Sequence, residues 1–262
     1  MGRYFAFAFG VSSYGIFFVT FLYLIGFLAN AIVPKGIDSG TPIDPIVALV
    51  VNLGLIALFG VQHSVMARPA FKAVWTKIVP KPIERSTYVL LASLVLVALY
   101  VWWQPMPTVL WQAATPAGAA IASGVFLSGI GLVLVATFVI NHFDLFGLRQ
   151  VFLHLRNRPY TELPFQVRFL YRLVRHPLYV GWFVAFWATP VMTVGHLLFA
   201  AGMSIYILIA VRHEERDLVR QLGEDYRRYQ QHVPKFVPRL GTTHAAVKPG
   251  AKPQTVASLR TR

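Results

Sequence analysis

The chain has 262 residues, of which 56% are hydrophobic and only 13% are charged, and its net charge at pH 7 is +14. A soluble globular domain carries roughly 25% charged residues, so this composition excludes a soluble fold and favours one compact membrane domain. The sequence contains no cysteine, which excludes disulfides, thiolate metal sites and a cysteine nucleophile.

Four long apolar stretches occupy the first half of the chain. They cover approximately residues 4–33, 46–66, 87–103 and 118–140. Each approaches or exceeds the ~20 residues that an α-helix needs to cross the hydrocarbon core of a bilayer. The first stretch is too long for the ~7–15-residue apolar region of a signal peptide, so we interpret it as a retained span.

A fifth apolar stretch, residues 178–211, is too long for one ordinary span and is interrupted by Thr189-Pro190 and Gly195-His196. A proline and a glycine this close together favour a tight turn. We predict a helical hairpin with short helices at 178–191 and 195–211, followed by an amphipathic cytoplasmic helix. The predicted fold class is therefore all-α, a polytopic transmembrane bundle of five to six membrane helices.

The basic residues predict the orientation of this bundle. If the N-terminus is cytoplasmic and the spans alternate, all of the 24 lysines and arginines except Lys35 lie on the cytoplasmic side. This asymmetry follows the positive-inside rule. The positive net charge is therefore explained by the orientation of the protein in the membrane and by attraction to anionic membrane lipid. This explanation argues against nucleic-acid binding.

We predict a single membrane-embedded domain over residues 1–240. Residues 241–262 are small, polar and basic and have no periodic apolar face. This composition is typical of a disordered tail.

One motif, Arg-His-Pro-Leu-Tyr-Val-Gly, stands at the start of the predicted hairpin, from Arg175 to Gly181. Proline is favoured in the first turn of a helix and holds the preceding residue out of helical geometry, so Pro177 should start the helix and leave His176 at its mouth. The free backbone N–H groups of a first helical turn suit an anion such as a carboxylate. A basic stop beside a membrane span explains the same residues equally well.

A second motif follows the hairpin. Glu214 lies one helical turn before Leu218 and two turns before Leu222, on the stripe that should face protein. A buried carboxylate needs a partner, and a ribose diol or an ammonium group of a ligand would serve. A local ion pair with Arg212 or Arg216 is the alternative.

These ordered motifs, together with Glu-Glu-(x)₂-Leu-(x)₄-Gly-(x)₂-Tyr-(x)₂-Tyr-(x)₃-Val-Pro-(x)₃-Pro, resemble the isoprenylcysteine carboxyl methyltransferase superfamily over residues 168–238. The resemblance implies an S-adenosylmethionine pocket in this segment, partly covered by the C-terminal segment. It implies that the cofactor is contacted by Arg175, His176, Tyr179, Gly181 and Glu214, with Tyr226 in the lid.

The N-terminal half carries three further runs: Gln-His-Ser-Val-Met-Ala-Arg-Pro at 62–69, Glu-Arg-Ser-Thr-Tyr at 84–88 and Asn-His-Phe-Asp-Leu-Phe-Gly-Leu-Arg-Gln at 141–150. With the C-terminal motifs, this set is similar to the bacterial membrane-bound methanethiol S-methyltransferases. A membrane family linked to denitrification shares the first run. The resemblance to the methanethiol enzymes implies methylation of methanethiol to dimethyl sulfide in the bacterial inner membrane.

A thiol attacks as its thiolate, so a nearby base or positive charge should assist this reaction. Our first hypothesis for the base, or for a group that orients the thiol, is His142, positioned by Asp144; the second is His63. Each histidine is explained about equally well as a hydrogen-bonded residue at a span end. The eight histidines include no His-x-x-x-His zinc spacing with a glutamate between, so we predict no metal site.

Two other functional classes remain open at this point. One is a carboxyl methyltransferase that acts on a lipidated cysteine or another lipophilic acceptor. The other is a non-enzymatic membrane transporter or scaffold. A transporter should bury ionisable residues in mid-span, and the four clear spans contain none.

Overall fold

A computed structural model describes residues 2–161 and 163–239 of the chain. Its helices and strands are α1 (Arg3–Ala29), α2 (Pro45–Ala67), α3 (Pro69–Trp75), α4 (Lys81–Trp102), β1 (Val109–Gln112), α5 (Pro116–Ile140), α6 (His142–Leu145), α7 (Leu148–Leu155), α8 (Pro177–Trp187), β2 (Val191–Thr193), α9 (Val194–Leu222) and α10 (Glu224–His232). A short 3-10 helix, Phe169–Arg172, precedes α8. The predicted tail at 241–262 lies outside the described residues.

Five helices, α1, α2, α4, α5 and α9, are long and apolar enough to cross a membrane. The four apolar stretches of the sequence correspond to α1, α2, α4 and α5, so the predicted helical membrane bundle is confirmed. The helix α8 has only 11 residues, which is short for a membrane span, and it packs against α5. The chain is therefore an integral membrane protein.

The predicted hairpin is present, with two differences in detail. The first helix ends at Trp187, and the connection contains a strand, β2, which pairs antiparallel with β1 through Val109 and Thr193. This two-stranded sheet is missing from the sequence prediction because a three-residue strand is too short to show an alternating pattern. The second helix runs on to Leu222, where Gly223 (φ +60°) ends it, so the predicted cytoplasmic helix is continuous with the last span.

The helices α5 and α8 cross at two glycines. A Cβ atom built on Gly181 would lie 2.8 Å from the carbonyl oxygen of Gly129, and one built on Gly129 would lie 2.7 Å from the backbone nitrogen of Ala185. Only glycine lets two backbones approach this closely. The contact fixes α8 against α5 and thereby positions the start of α8.

Helices α2 and α5 end, and helices α4 and α8 begin, at the same end of the bundle. We call this end the basic end. Here the Arg85 Nε donates to the carbonyl oxygen of Leu145 (2.7 Å) and the Tyr88 hydroxyl donates to the carbonyl oxygen of His63 (3.3 Å). These contacts bring α2, α4 and α6 together, so the polar motifs of the sequence meet at this end.

Candidate active site

The first turn of α8 forms the mouth of the candidate site. Helix α8 begins at Pro177, and His176 before it has a non-helical backbone (φ −127°, ψ 60°), as expected for a residue that precedes proline. The backbone amides of Arg175 and His176 donate to the carbonyl oxygens of Pro234 (2.8 Å) and Lys235 (3.2 Å). The segment after α10 therefore closes over the start of α8.

A buried carboxylate, Glu215, holds three basic side chains from separate parts of the chain. The Arg175 Nε donates to Glu215 Oε1 at 2.8 Å, and His176 Nε2 lies 3.0 Å from the same oxygen. The Lys235 Nζ lies 3.1 Å from Glu215 Oε2, and the Arg175 Nη1 also donates to the carbonyl oxygen of Val233 (2.6 Å). Glu215 is only 8% exposed, so it ties the α8 mouth, α9 and the C-terminal segment into one unit.

Sequence reasoning missed Glu215 because it selected Glu214 from the same pair. Buried residues recur every four positions along this side of α9 at Ile207, Val211 and Glu215. That spacing is the signal that would have found it.

Tyr179 and Glu214, two of the residues named by the resemblance, do meet. The Tyr179 hydroxyl donates to Glu214 Oε2 at 2.9 Å. Gly181, a third residue named by the resemblance, does not join this pair. It faces Gly129 and Val133 of α5, where it allows a close contact between the two helices.

Tyr226 lies in a small apolar cluster with Tyr229 and Val233. Its side chain is 2% exposed and packs against Phe165 and Tyr229, with ring centroids 5.9 Å and 5.7 Å away. The Tyr229 hydroxyl donates to the carbonyl oxygen of Tyr171 at 2.7 Å. Burial raises the pKa of Tyr226, so its hydroxyl stays protonated at neutral pH.

A cavity of about 1150 Å³ opens at the basic end, between the start of α4, the end of α5 and the segment before α8. Its wall includes Arg85, Asp144, Gln150, Phe165 and Tyr171. Burial and the neighbouring carboxylate of Glu214 raise the pKa of Tyr171. The cavity therefore reaches from the loop that carries Asp144 to Tyr171, the tyrosine whose pKa Glu214 helps to raise.

The imidazole of His142 is 5% exposed and uses both ring nitrogens. Nε2 lies 2.8 Å from the hydroxyl of Tyr14, and Nδ1 lies 2.9 Å from the hydroxyl of Thr137. The ring stacks on Phe138 with centroids 4.2 Å apart. Burial lowers the pKa of His142 below its ordinary value, so the imidazole is neutral at pH 7 and can accept a proton.

The carboxylate of Asp144 is bonded to Arg149 and Tyr160 and not to His142. It accepts from Arg149 Nη1 at 2.9 Å and from the Tyr160 hydroxyl at 3.2 Å. The aspartate thus orders the loop at the cavity wall, and the partners of His142 are the hydroxyls of Tyr14 and Thr137.

His63 lies among aromatic rings near the end of α2. Its ring centroid is 5.2 Å from Phe59, 5.1 Å from Tyr88 and 6.3 Å from Tyr206. Its Nδ1 is buried and has no hydrogen-bond partner among residues 2–161 and 163–239. The Arg85 guanidinium covers the other side of this cluster, 4.9 Å from the Tyr88 ring centroid.

The match to known proteins covers nearly the whole chain. A family described as "Protein of unknown function (DUF1295)" matches residues 69–233. The methanethiol S-methyltransferase of Mycobacterium tuberculosis is 52% identical over 238 residues, which make up 91% of this chain and 98% of that protein. The methanethiol S-methyltransferase 1 of Bradyrhizobium diazoefficiens is 52% identical over 236 residues, 90% of this chain and 83% of that protein.

The chain belongs to the methanethiol S-methyltransferase family. The resemblance found in the sequence motifs is therefore confirmed. A more distant relative, Nurim of Pan troglodytes, is 30% identical over 175 residues, 64% of this chain and 66% of that protein. No solved structure matches the chain.

Within this member of the methanethiol S-methyltransferase family, the DUF1295 match contains His142, Asp144 and Glu215. His63 lies before the matched region, and Lys235 lies just after it. Most of the candidate site is thus built from the region that the family shares.

Proposed function

We propose that this chain methylates methanethiol to dimethyl sulfide with S-adenosylmethionine as the methyl donor. The observation that carries the proposal is the 52% identity to the M. tuberculosis methanethiol S-methyltransferase over 98% of that protein. We further propose that residues 1–240 act as one methyltransferase domain whose donor-binding part is 168–238.

The described residues fit such a donor. The cavity of about 1150 Å³ exceeds the ~300–1,000 Å³ of a typical small-molecule site, which leaves room for the donor and a small thiol. Its wall carries an unused acceptor, because Gln150 Oε1 is buried without a hydrogen-bond partner among the described residues. When bound, S-adenosylmethionine supplies a methyl group on a sulfonium, which is an activated electrophile.

Binding of the donor is assigned to residues around the start of α8. We propose that Glu214 binds a cationic or hydroxyl group of the donor and that Tyr179 orients this carboxylate through their 2.9 Å hydrogen bond. Arg175, held by Glu215 beside His176, presents positive charge at the α8 mouth, and a helix N-terminus favours a carboxylate. The other two assigned residues, Gly181 and Tyr226, support the site by helix packing and by covering it.

On the thiol side we propose that His142 is the base that finally takes up the proton, because it is neutral at pH 7 and lies beside the cavity wall at 139–141. Asp144 supports it indirectly by ordering the loop through Arg149. His63, whose Nδ1 has no partner among the described residues, is the second candidate. Alignment of the thiolate sulfur with the methyl group is itself a large contribution to such a transfer.

The assay of this function uses detergent-purified protein, S-adenosylmethionine and methanethiol, with dimethyl sulfide measured in the headspace. We expect dimethyl sulfide only with intact protein. In the His176→Ala variant its rate should fall at least about tenfold, the equivalent of one charge-assisted hydrogen bond to Glu215 at ~1.5–3 kcal/mol. Donor binding without any dimethyl sulfide would refute the thiol assignment and favour a lipophilic acceptor.

We also propose that both termini are cytoplasmic and that the membrane is the bacterial inner membrane, as the basic residues indicate. The absence of cysteine permits a direct test. In intact cells a membrane-impermeant maleimide should label the Thr41→Cys variant, in the exposed α1–α2 loop, and leave the Lys77→Cys variant, in the exposed α3–α4 loop, unlabelled. The opposite labelling pattern would reverse the orientation.

A further inference from the structure

A hydrogen-bond chain of fixed direction runs through His142. The Thr137 hydroxyl donates its one proton to the carbonyl oxygen of Leu134 at 2.7 Å, so towards His142 Nδ1, at 2.9 Å, it can only accept. The neutral imidazole therefore carries its proton on Nδ1, which leaves Nε2 as an acceptor. The hydroxyl of Tyr14, 2.8 Å from Nε2, must be the donor.

The chain ends at the phenolic oxygen of Tyr14. Among residues 2–161 and 163–239, His142 is the one hydrogen-bond partner of this hydroxyl. Once the hydroxyl proton points at His142, the oxygen is left with lone pairs and can accept a proton from a further group. Tyr14 is half-buried, so part of its side chain remains open to a small molecule.

We propose that Tyr14 is the residue that removes the proton from the thiol substrate. As the S–H bond breaks, the proton bonds to the phenolic oxygen, and the original hydroxyl proton of Tyr14 moves to His142 Nε2. The products of this step are a thiolate and a buried imidazolium, with Tyr14 neutral again. This inference rests on the proposed function, since it assigns the proton transfer of that same reaction.

The position of the pair supports this role. Val133 of α5 packs against Gly181 of α8, and the two helices run antiparallel. One turn further along α5, Thr137 is therefore level with Pro177 at the α8 mouth. Residues on both sides of His142, at 139–141 and 144–145, line the cavity of about 1150 Å³, so the relay adjoins the space assigned to the donor.

The surroundings of His142 tolerate the transient positive charge. Phe138 stacks parallel to the ring at 4.2 Å, and Phe146 lies at 4.8 Å. An aromatic face attracts a cation. The titratable and charged groups on the packed elements are the Tyr14 phenol on α1, 2.8 Å from the ring, Arg85 on α4, which donates to the carbonyl oxygen of Leu145, and Asp144 on α6. The carboxylate of Asp144 is already paired with Arg149 at 2.9 Å. The proton is thus held by the relay without a competing carboxylate.

The test compares Tyr14→Phe with a matched change on the same helix, Tyr23→Phe, which removes a hydroxyl bonded to the carbonyl oxygen of Lys35 (3.1 Å). At pH 7, Tyr14→Phe should lower kcat/KM for methanethiol about 10²-fold, the usual effect of a general base. The KM for the donor should stay unchanged, and Tyr23→Phe should behave as wild type.

The pH profile separates proton transfer from packing. A simple alkyl thiol titrates somewhat above the ~8.5 of cysteine, so the thiolate fraction rises about tenfold per pH unit below that value. The defect of Tyr14→Phe should therefore shrink steadily as the pH rises from 7 to 10, and it should be small for a more acidic fluorinated ethanethiol. Because the relay acts as a unit, adding His142→Gln to Tyr14→Phe should cost little more.

Three outcomes would overturn the relay: wild-type activity in Tyr14→Phe, a defect of equal size at every pH, or additive losses in the double variant. If Tyr14→Phe does not fold, His142→Gln alone carries the same pH and acidic-thiol tests. An inactive wild-type protein that still binds the donor would refute the proposed function instead.

Discussion

A Glu215→Gln variant should lose both thermal stability and methyl transfer. The side chains of Arg175 and His176 are 10% and 5% exposed, and Glu215 is the carboxylate that both contact. Breaking a buried ion pair by removing one partner costs about 3–5 kcal/mol. We therefore expect a substantially lower unfolding temperature in detergent and a fall in dimethyl sulfide production of at least about 100-fold, because the α8 mouth loses its fixed geometry.

The matched control for this variant is Glu224→Gln. Glu224 is 60% exposed on the side chain and lies 3.9 Å from Arg227, a surface pair of a kind that contributes ~1 kcal/mol or less. Its unfolding temperature and activity should remain close to wild type. If Glu215→Gln melted like this control, the role of Glu215 as the centre of the site would be wrong.

A Gly181→Ala variant should be destabilised even in the absence of donor. The new Cβ would lie 2.8 Å from the carbonyl oxygen of Gly129 and 2.8 Å from the backbone nitrogen of Val133, and two helix backbones cannot yield as a flexible side chain can. Overpacking of this kind costs about 1–3 kcal/mol. The measurement is the thermal unfolding of purified protein, with and without S-adenosylmethionine.

Gly131→Ala is the control, because a Cβ at Gly131 of α5 would meet nothing within 4 Å. Alanine is the better helix former, so this variant should be as stable as wild type or slightly more so. A Gly181→Ala protein of normal stability that failed to bind the donor would show that Gly181 contacts the ligand, as the family resemblance implies, and that the helix contact is secondary.

Local composition was sufficient to predict the membrane architecture. The spans follow from runs of apolar residues long enough for a bilayer, and the hairpin follows from Pro190 and the nearby Gly195. Pro177 likewise marks the start of α8 at the residue observed. These features depend on residues that are close together in the sequence, so each can be predicted from its own segment of the chain.

The partners within the site were not predictable in this way. Successive residues of an α-helix point about 100° apart, at 3.6 residues per turn, so the rotation of α9 decides whether Glu214 or Glu215 faces Arg175. His142 hydrogen-bonds Tyr14, which is 128 positions away in the sequence. The nearby Asp144 forms an ion pair with Arg149. No local pattern encodes such a pairing, because it depends on how α1, α5 and α6 pack.

The sequence by itself therefore determined the membrane helices, the basic end and the family, because these depend on composition and on ordered motifs. Only the tertiary structure decided three contacts: Glu215 binds three basic side chains, Gly181 packs against Gly129 where two helices cross, and Tyr14 hydrogen-bonds His142. The physical reason is that hydrogen bonds and close backbone contacts act over about 3 Å. Helix register and rotation must be fixed before such distances are defined.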